Sequence, residues 1–267
     1  MSIQPLSDPA ETPVERPFPA PCRTLKMSAP LRWLRLGWAD ITRAPRLSLT
    51  YGFVLMLISV LIGALTWRYG TLPLYLGLAT GFVFVGPILA VGLYSISRQL
   101  EASLAPFMGH CIQEGWHHVR GLMVLGLVLL IVLLVWARAA AMVHIFFPVE
   151  ANPTWQELLP FLGIGSAIGS IFVVVVFAVS AFSLPMIMDR KVDSITAVVS
   201  SVNAVLHNKG AMLVWVSLIG LTVLIGFATA FLSFIVMLPL IGHATWHAYR
   251  ETIDASAWNR NAPGESE

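Results

Sequence analysis

The stretch AMLVWVSLIGLTVLIGFATAFLSFIVMLPLIGHATWHAYR, residues 211–250, contains no Asp, Glu or Lys and meets its first Arg only at Arg250. A single membrane crossing needs roughly 20 apolar residues. This run is far too long for one, and a tight turn near 226–231 is the point at which it divides. The reading that follows is a helical hairpin that goes out through a bilayer and comes back.

Working outward, four further apolar stretches fall at about 47–67, 72–97, 121–142 and 161–187. With the divided one they predict six transmembrane helices in an all-α polytopic membrane protein. Composition points the same way. Hydrophobic residues make up 57% of the 267, charged residues 11%, and mean hydropathy is +0.79. Soluble domains carry about 25% charged residues, so this chain cannot cover itself with a water-facing surface. The net charge of +2 gives no ground for a nucleic-acid partner.

The ends differ from the middle. Residues 1–29 hold Pro5, Pro9, Pro13, Pro17, Pro19 and Pro21 among scattered charges, which predicts a disordered Pro-rich tail. Asp8, Glu11 and Glu15 at the start predict that no signal peptide is cleaved there. The membrane domain is then 30–253, and 254–267 is a second tail. Lys and Arg concentrate in the N-terminal segment, in the linkers after the second and fourth spans, and in the C-terminal tail. Only Arg68 and Arg138 fall on the other side. By the positive-inside rule both termini lie in the cytoplasm, and the setting is the bacterial inner membrane. Cys22 and Cys111 are then cytoplasmic free thiols.

A repeat underlies the spans. Each pair is preceded by an amphipathic segment: LRWLRLGWADITRAPR, APFMGHCIQEGWHHVR and VDSITAVVSSVNAVLHN. In the first, Leu31, Leu34, Trp38 and Ile41 form an apolar stripe while Arg32, Arg35, Asp40 and Arg43 face away. Met108, Ile112, Trp116 and Val119 form a weaker stripe in the second. Val192, Ile195, Val199, Val202 and Leu206 form one in the third. Helices of this kind lie in the membrane interface. The second span of every pair carries a proline. The expected architecture is therefore three repeated hairpins, each led by an interfacial helix.

GLYSISRQLE, LPMIMDRKVDSITAVVSSVNAV and PLIGHATWHAYR together resemble the bacterial membrane family catalogued as domain of unknown function 2189, over about residues 30–253. Some members carry a cytochrome c oxidase subunit label, but the resemblance implies an architecture and no activity. The layout is similar, more remotely, to membrane domains found beside glycerophosphodiester phosphodiesterases.

The candidate polar cluster is His110, His117, His118, Asp189, Arg190, Asp193, His243, Trp246 and His247. His243 and His247 share a helix face at i, i+4. They read either as a metal or haem ligand pair or as the polar, aromatic inner end of the last helix, and the second reading is favoured. Trp246 then anchors at the headgroups, and water satisfies His247. Deeper His243 needs a protein partner. Oxidase metals need histidines from several helices, and no CxxCH occurs. Asp193 can cap the third interfacial helix, while Arg190 and Lys191 anchor the inner side. In GIGSAIGS, the pairs Gly165 with Gly169 and Ser166 with Ser170 predict close helix packing.

No catalytic constellation is legible, so the expectation is a non-enzymatic protein with no resident metal or cofactor. No Asp or Glu falls inside a span, which counts against cation-coupled transport. Its partners are the lipid bilayer, lipid head groups or other membrane proteins. Three functions stand in order: a lipid- or partner-binding membrane protein, a permease or channel for a small neutral or anionic solute, and a haem- or copper-associated accessory protein of a respiratory oxidase.

Overall fold

The computed structural model describes residues 17–69, 89–109, 111, 119–146 and 154–261, and the regular elements among these are all helices, with isolated β-bridges in place of strands. In chain order the helices are α1 (Ala29–Arg43), α2 (Pro45–Tyr69), α3 (Val91–Glu101), α4 (Val119–Phe146), α5 (Trp155–Ser180), α6 (Ser183–Asp189), α7 (Ser194–His207), α8 (Lys209–Ala228) and α9 (Phe234–Thr252).

Four segments are long and apolar enough to cross a membrane: Pro45–Arg68, Val119–Phe146, Leu158–Asp189 and Lys209–Ala228. They correspond to the first, third, fourth and fifth expected spans. The second falls mostly in 70–88, outside the described residues, and only its end appears, as α3. The sixth expected span coincides with the helix α9, which is not among the four because its C-terminal half is polar. Half of the second amphipathic segment also lies outside the described residues, so the threefold repeat is visible only in part.

The hairpin turn between α8 and α9 sits where the sequence places it. Ala230 and Phe231 adopt φ of 47° and 68°, a left-handed geometry that non-glycine residues rarely hold. Stacking offsets the strain, with Phe231 lying 5.2 Å from Phe227 and 5.6 Å from Phe234, ring centre to ring centre.

Helix α9 is the centre of the packing, and α1, α2 and α3 all lie against it. The first approach is backbone to backbone. A Cβ on Gly37 would lie 2.8 Å from the Ala244 nitrogen and 2.9 Å from the Leu240 oxygen. The second approach exploits Pro239. Proline has no N–H, so the Ile235 carbonyl loses its helical donor. Gly52 of α2 seats its backbone there, where a Cβ would overlap the Ile235 oxygen and stand 2.7 Å from Pro239 Cγ. By contrast, Gly169 has no described atom within 4 Å of its Cβ position, and Gly165 meets only Val143, at 3.9 Å. Ser170 bonds back to the Ser166 carbonyl within its own helix. Among the described residues, the tight approaches are therefore not at the GIGSAIGS pairs.

The amphipathic helices α1 and α7 leave part of their expected apolar stripes exposed. On α1 the buried face is Ala29, Pro30, Trp33, Gly37, Asp40 and Ile41, while Leu31 is 59% exposed and Trp38 51%. On α7 the buried face is Thr196, Ala197, Ser200, Ser201, Ala204 and Val205, and Ile195 and Leu206 are exposed. Trp33 and Ile41 thus share the inward face of α1 with small and polar residues, while Leu31 and Trp38 stay outward beside Arg32, Arg35 and Arg43. Asp40 therefore corrects the expectation: it shares the inward face with Gly37 instead of facing away.

The terminal segments also differ from the tails expected of them. Residues 17–28 and 253–261 pack onto the bundle. Cys22 bridges Ile253, and Arg190 bridges Arg260. The Arg23 amide donates to Thr252 at 2.8 Å and the Asp254 amide to Pro21 at 2.8 Å. Trp258 is buried. Residues 1–16 and 262–267 lie outside the described set. Cys22 and Cys111 are both free thiols.

Candidate functional site: a polar core around the last helix

The polar half of α9 is enclosed by α1, α2 and α3. His243 is fully buried and both of its ring nitrogens are engaged, Nε2 with Ser48 Oγ at 2.9 Å and Nδ1 with Ser97 Oγ at 2.7 Å. Ser97 donates to Asp40 Oδ2 at 2.8 Å, and His247 Nε2 meets the same oxygen at 2.8 Å. One placement of hydrogens satisfies every member. Ser48 donates to Nε2, Nδ1–H donates to Ser97, Ser97 donates to Asp40, and His247 donates to Asp40. The chain reaches from α2 across α9 and α3 to α1.

Toward the end of α9 the groups are charged. Asp189, buried, accepts on Oδ2 from Tyr249 (2.9 Å), Arg190 Nε (3.0 Å) and Arg250 (3.2 Å). Arg250 also donates to Glu101 Oε1 at 2.8 Å, and Trp246 Nε1 donates to Glu101 Oε2 at 3.0 Å. Arg98 donates to the Met188 carbonyl at 3.0 Å and also to that of Asn261, while Arg190 reaches the Trp258 carbonyl at 2.7 Å. Trp33 Nε1 and Arg32 both bond Glu251. An uncompensated buried charge here would cost several kcal/mol, and this set leaves Asp189 fully paired.

Asp193 caps α7, accepting the Thr196 amide at 2.9 Å. Burial pushes its carboxyl up, but hydrogen bonds from the Thr196 side chain and the Thr196 and Ile195 amides outweigh this and hold it below its ordinary value.

The structure thus brings Asp189, Arg190, His243, Trp246 and His247 together and places Asp193 four residues beyond Asp189 on its own cap. His110, His117 and His118 lie outside the described residues. Trp246 is not a headgroup anchor: it is fully buried and packs on Tyr249 at 5.8 Å. His247 is held by a carboxylate in place of water. Among the described residues no group of three or more His, Cys, Asp or Glu is set to hold a metal ion. A metal could take His243 only by displacing a serine.

Asp40, Ser48, Ser97, Glu101, Tyr249 and Arg250 were not foreseen. A signal for Asp40 was present, since Gly37, Asp40 and Ala44 recur at helical spacing in line with Trp33 as one face.

Residues 74–189 match the family described as "Predicted integral membrane protein (DUF2189)". That stretch is similar to the family, and it spans less than half of the chain. No curated protein and no solved structure matches the chain. The DUF2189 stretch carries Ser97, Arg98, Glu101 and Asp189, whereas Asp40 and all of α9 lie outside it. The polar core therefore joins DUF2189 residues to the helices on either side, in an integral membrane protein.

Proposed function

We propose that this chain is a non-enzymatic protein of the bacterial inner membrane, with six spans and both termini cytoplasmic, that works by binding lipid or a membrane partner at its surface. The observation that carries the reading is the phase of α1 and α7. Two helices outside the candidate spans bury Trp33, Gly37, Asp40, Ile41, Ala197 and Ser200 yet leave Leu31, Trp38, Ile195 and Leu206 exposed on their outer faces. Bulky apolar side chains at a membrane's edge gain burial from acyl chains or from an apolar partner. The closed polar core supports a scaffold in preference to an active site, because its hydrogen-bonding groups are turned on one another. The two spans beyond the four candidates would be the 72–97 segment and α9.

The test is purification of the full chain in mild detergent with lipid mass spectrometry and a visible spectrum on the same sample. Retained phospholipid with no chromophore supports the reading. A lipid-free monomer, or a Soret band, overturns it.

One observation favours a permease as the second reading. The Ser48–His243–Ser97–Asp40 chain supplies a buried carboxylate that the spans themselves lack. Solute flux in proteoliposomes that Asp40→Asn abolishes would promote it.

A further inference from the structure

We propose that the outward face of α1, with the cations beside it, is a docking surface for anionic phospholipid headgroups. This rests on the lipid-binding reading above and names the class of lipid. Leu31, Arg35, Trp38 and Thr42 fall on one line of the helix at 3.6 residues per turn, and all four are exposed. Arg46 is exposed in the first turn of α2, at the start of the span Pro45–Arg68.

A second pair of cations lies at the start of α8. The Leu25 amide donates to Asn208 Oδ1 at 2.8 Å, and Met27 packs beside Gly210. These contacts bring Lys26 to the start of α8 next to Lys209, where the span Lys209–Ala228 begins. Lys26 and Lys209 are both exposed. The side chains of Lys26, Arg35, Arg46 and Lys209 have no hydrogen bond or ion pair among the described residues. The acid of α1, Asp40, is turned inward and occupied by Ser97 and His247, so it does not neutralise the face.

The occupant follows from charge and depth together. Cations at the first turns of two spans sit at headgroup level, and Leu31 and Trp38 beside them suit acyl chains and the interface. A free anion would satisfy the cations and leave the apolar residues uncovered. A lipid carrying a net negative headgroup matches both halves of the surface. Each Lys or Arg near a membrane surface strengthens anionic-lipid binding about five-fold, so four give a preference well above tenfold.

The test uses the full-length protein in mild detergent with equimolar dioleoylphosphatidylglycerol and dioleoylphosphatidylcholine, and reads bound lipid by native mass spectrometry. Wild type is expected to retain the glycerol lipid at least about ten-fold over the choline lipid. Replacing Lys26, Arg35, Arg46 and Lys209 together by Gln should bring that ratio to about one while total lipid changes little. Arg138→Gln, at an exposed site on another span, should leave the ratio intact. A quadruple variant with the wild-type ratio overturns the proposal. So does displacement of the bound lipid by inorganic phosphate at equal ionic strength. Wild type that retains both lipids equally overturns it while sparing the lipid-binding reading, and wild type that retains neither lipid overturns both.

Discussion

Replacing His243 by Ala should destabilise this protein more than the same change at His247, one turn further along α9. The ring is fully buried and makes two hydrogen bonds, to Ser48 and Ser97. Losing them costs about 1 kcal/mol each, and the unfilled ring volume adds a cavity term. Ser48 can turn back to its own helix, and Ser97 still donates to Asp40, which limits the damage. The net is about 2–4 kcal/mol. At about 2–4 °C per kcal/mol, the unfolding midpoint should drop by roughly 5–15 °C. His247 has one hydrogen bond to Asp40 and a side chain 20% exposed. His247→Ala should therefore cost only about 1–2 kcal/mol. The assay is thermal unfolding of the purified protein in mild detergent, followed by tryptophan fluorescence. Equal midpoints for the two variants, or a larger loss for His247→Ala, would refute the hydrogen-bond chain as the reason for the burial.

Three further outcomes are expected. Gly37→Ala and Gly52→Ala should each destabilise by about 1–3 kcal/mol through overpacking against α9, whereas Gly169→Leu should shift the same melting curve by less than about 0.5 kcal/mol. Asp193→Ala removes the cap of α7 and should cost about 1 kcal/mol at neutral pH. Because the folded carboxyl titrates below its unfolded value, that contribution is complete above about pH 4 and is lost as pH falls further. The gap between variant and wild type should accordingly close in acid denaturation curves. Reporter fusions after residues 70, 150 and 229 should read periplasmic and those after 105, 200 and 260 cytoplasmic. A cytoplasmic reading at 150 would remove the six-span arrangement.

The sequence announced the helices and the turn between α8 and α9 because length and hydropathy are enough to specify them. It did not announce the phase of α1 and α7. In water an apolar stripe must face the protein, but beside a bilayer lipid is as apolar as a core, so the members of one stripe can divide between the two, as Ile41 and Trp38 do. Leu31 and Trp38 consequently point outward, and Asp40 points in. Trp246 was misplaced for the same reason, since a tryptophan near a helix end suits an interface and a core equally well. The glycines teach a related lesson. GIGSAIGS has the small-residue spacing of a packing face, yet the close approaches fall at Gly37 and Gly52. There the contact is decided by a partner far along the chain, the backbone of α9 and the carbonyl freed by Pro239. The ordered segments 17–28 and 253–261 escaped notice because their packing depends on backbone bonds between the two ends, which composition does not encode.

The most direct test of the account is the environment of α1 in a bilayer. Single cysteines at Leu31, Trp38 and Ile41, in a Cys22→Ser and Cys111→Ser background, can be spin-labelled and reconstituted in lipid. Collision with membrane-dissolved oxygen is then compared with collision with an aqueous nickel chelate. The account predicts high oxygen accessibility at 31 and 38 and low accessibility to both reagents at 41. Labels at 31 and 38 shielded from oxygen, with 41 open to it, would contradict the claim that α1 holds Asp40 and Ile41 against the protein and presents Leu31 and Trp38 to lipid.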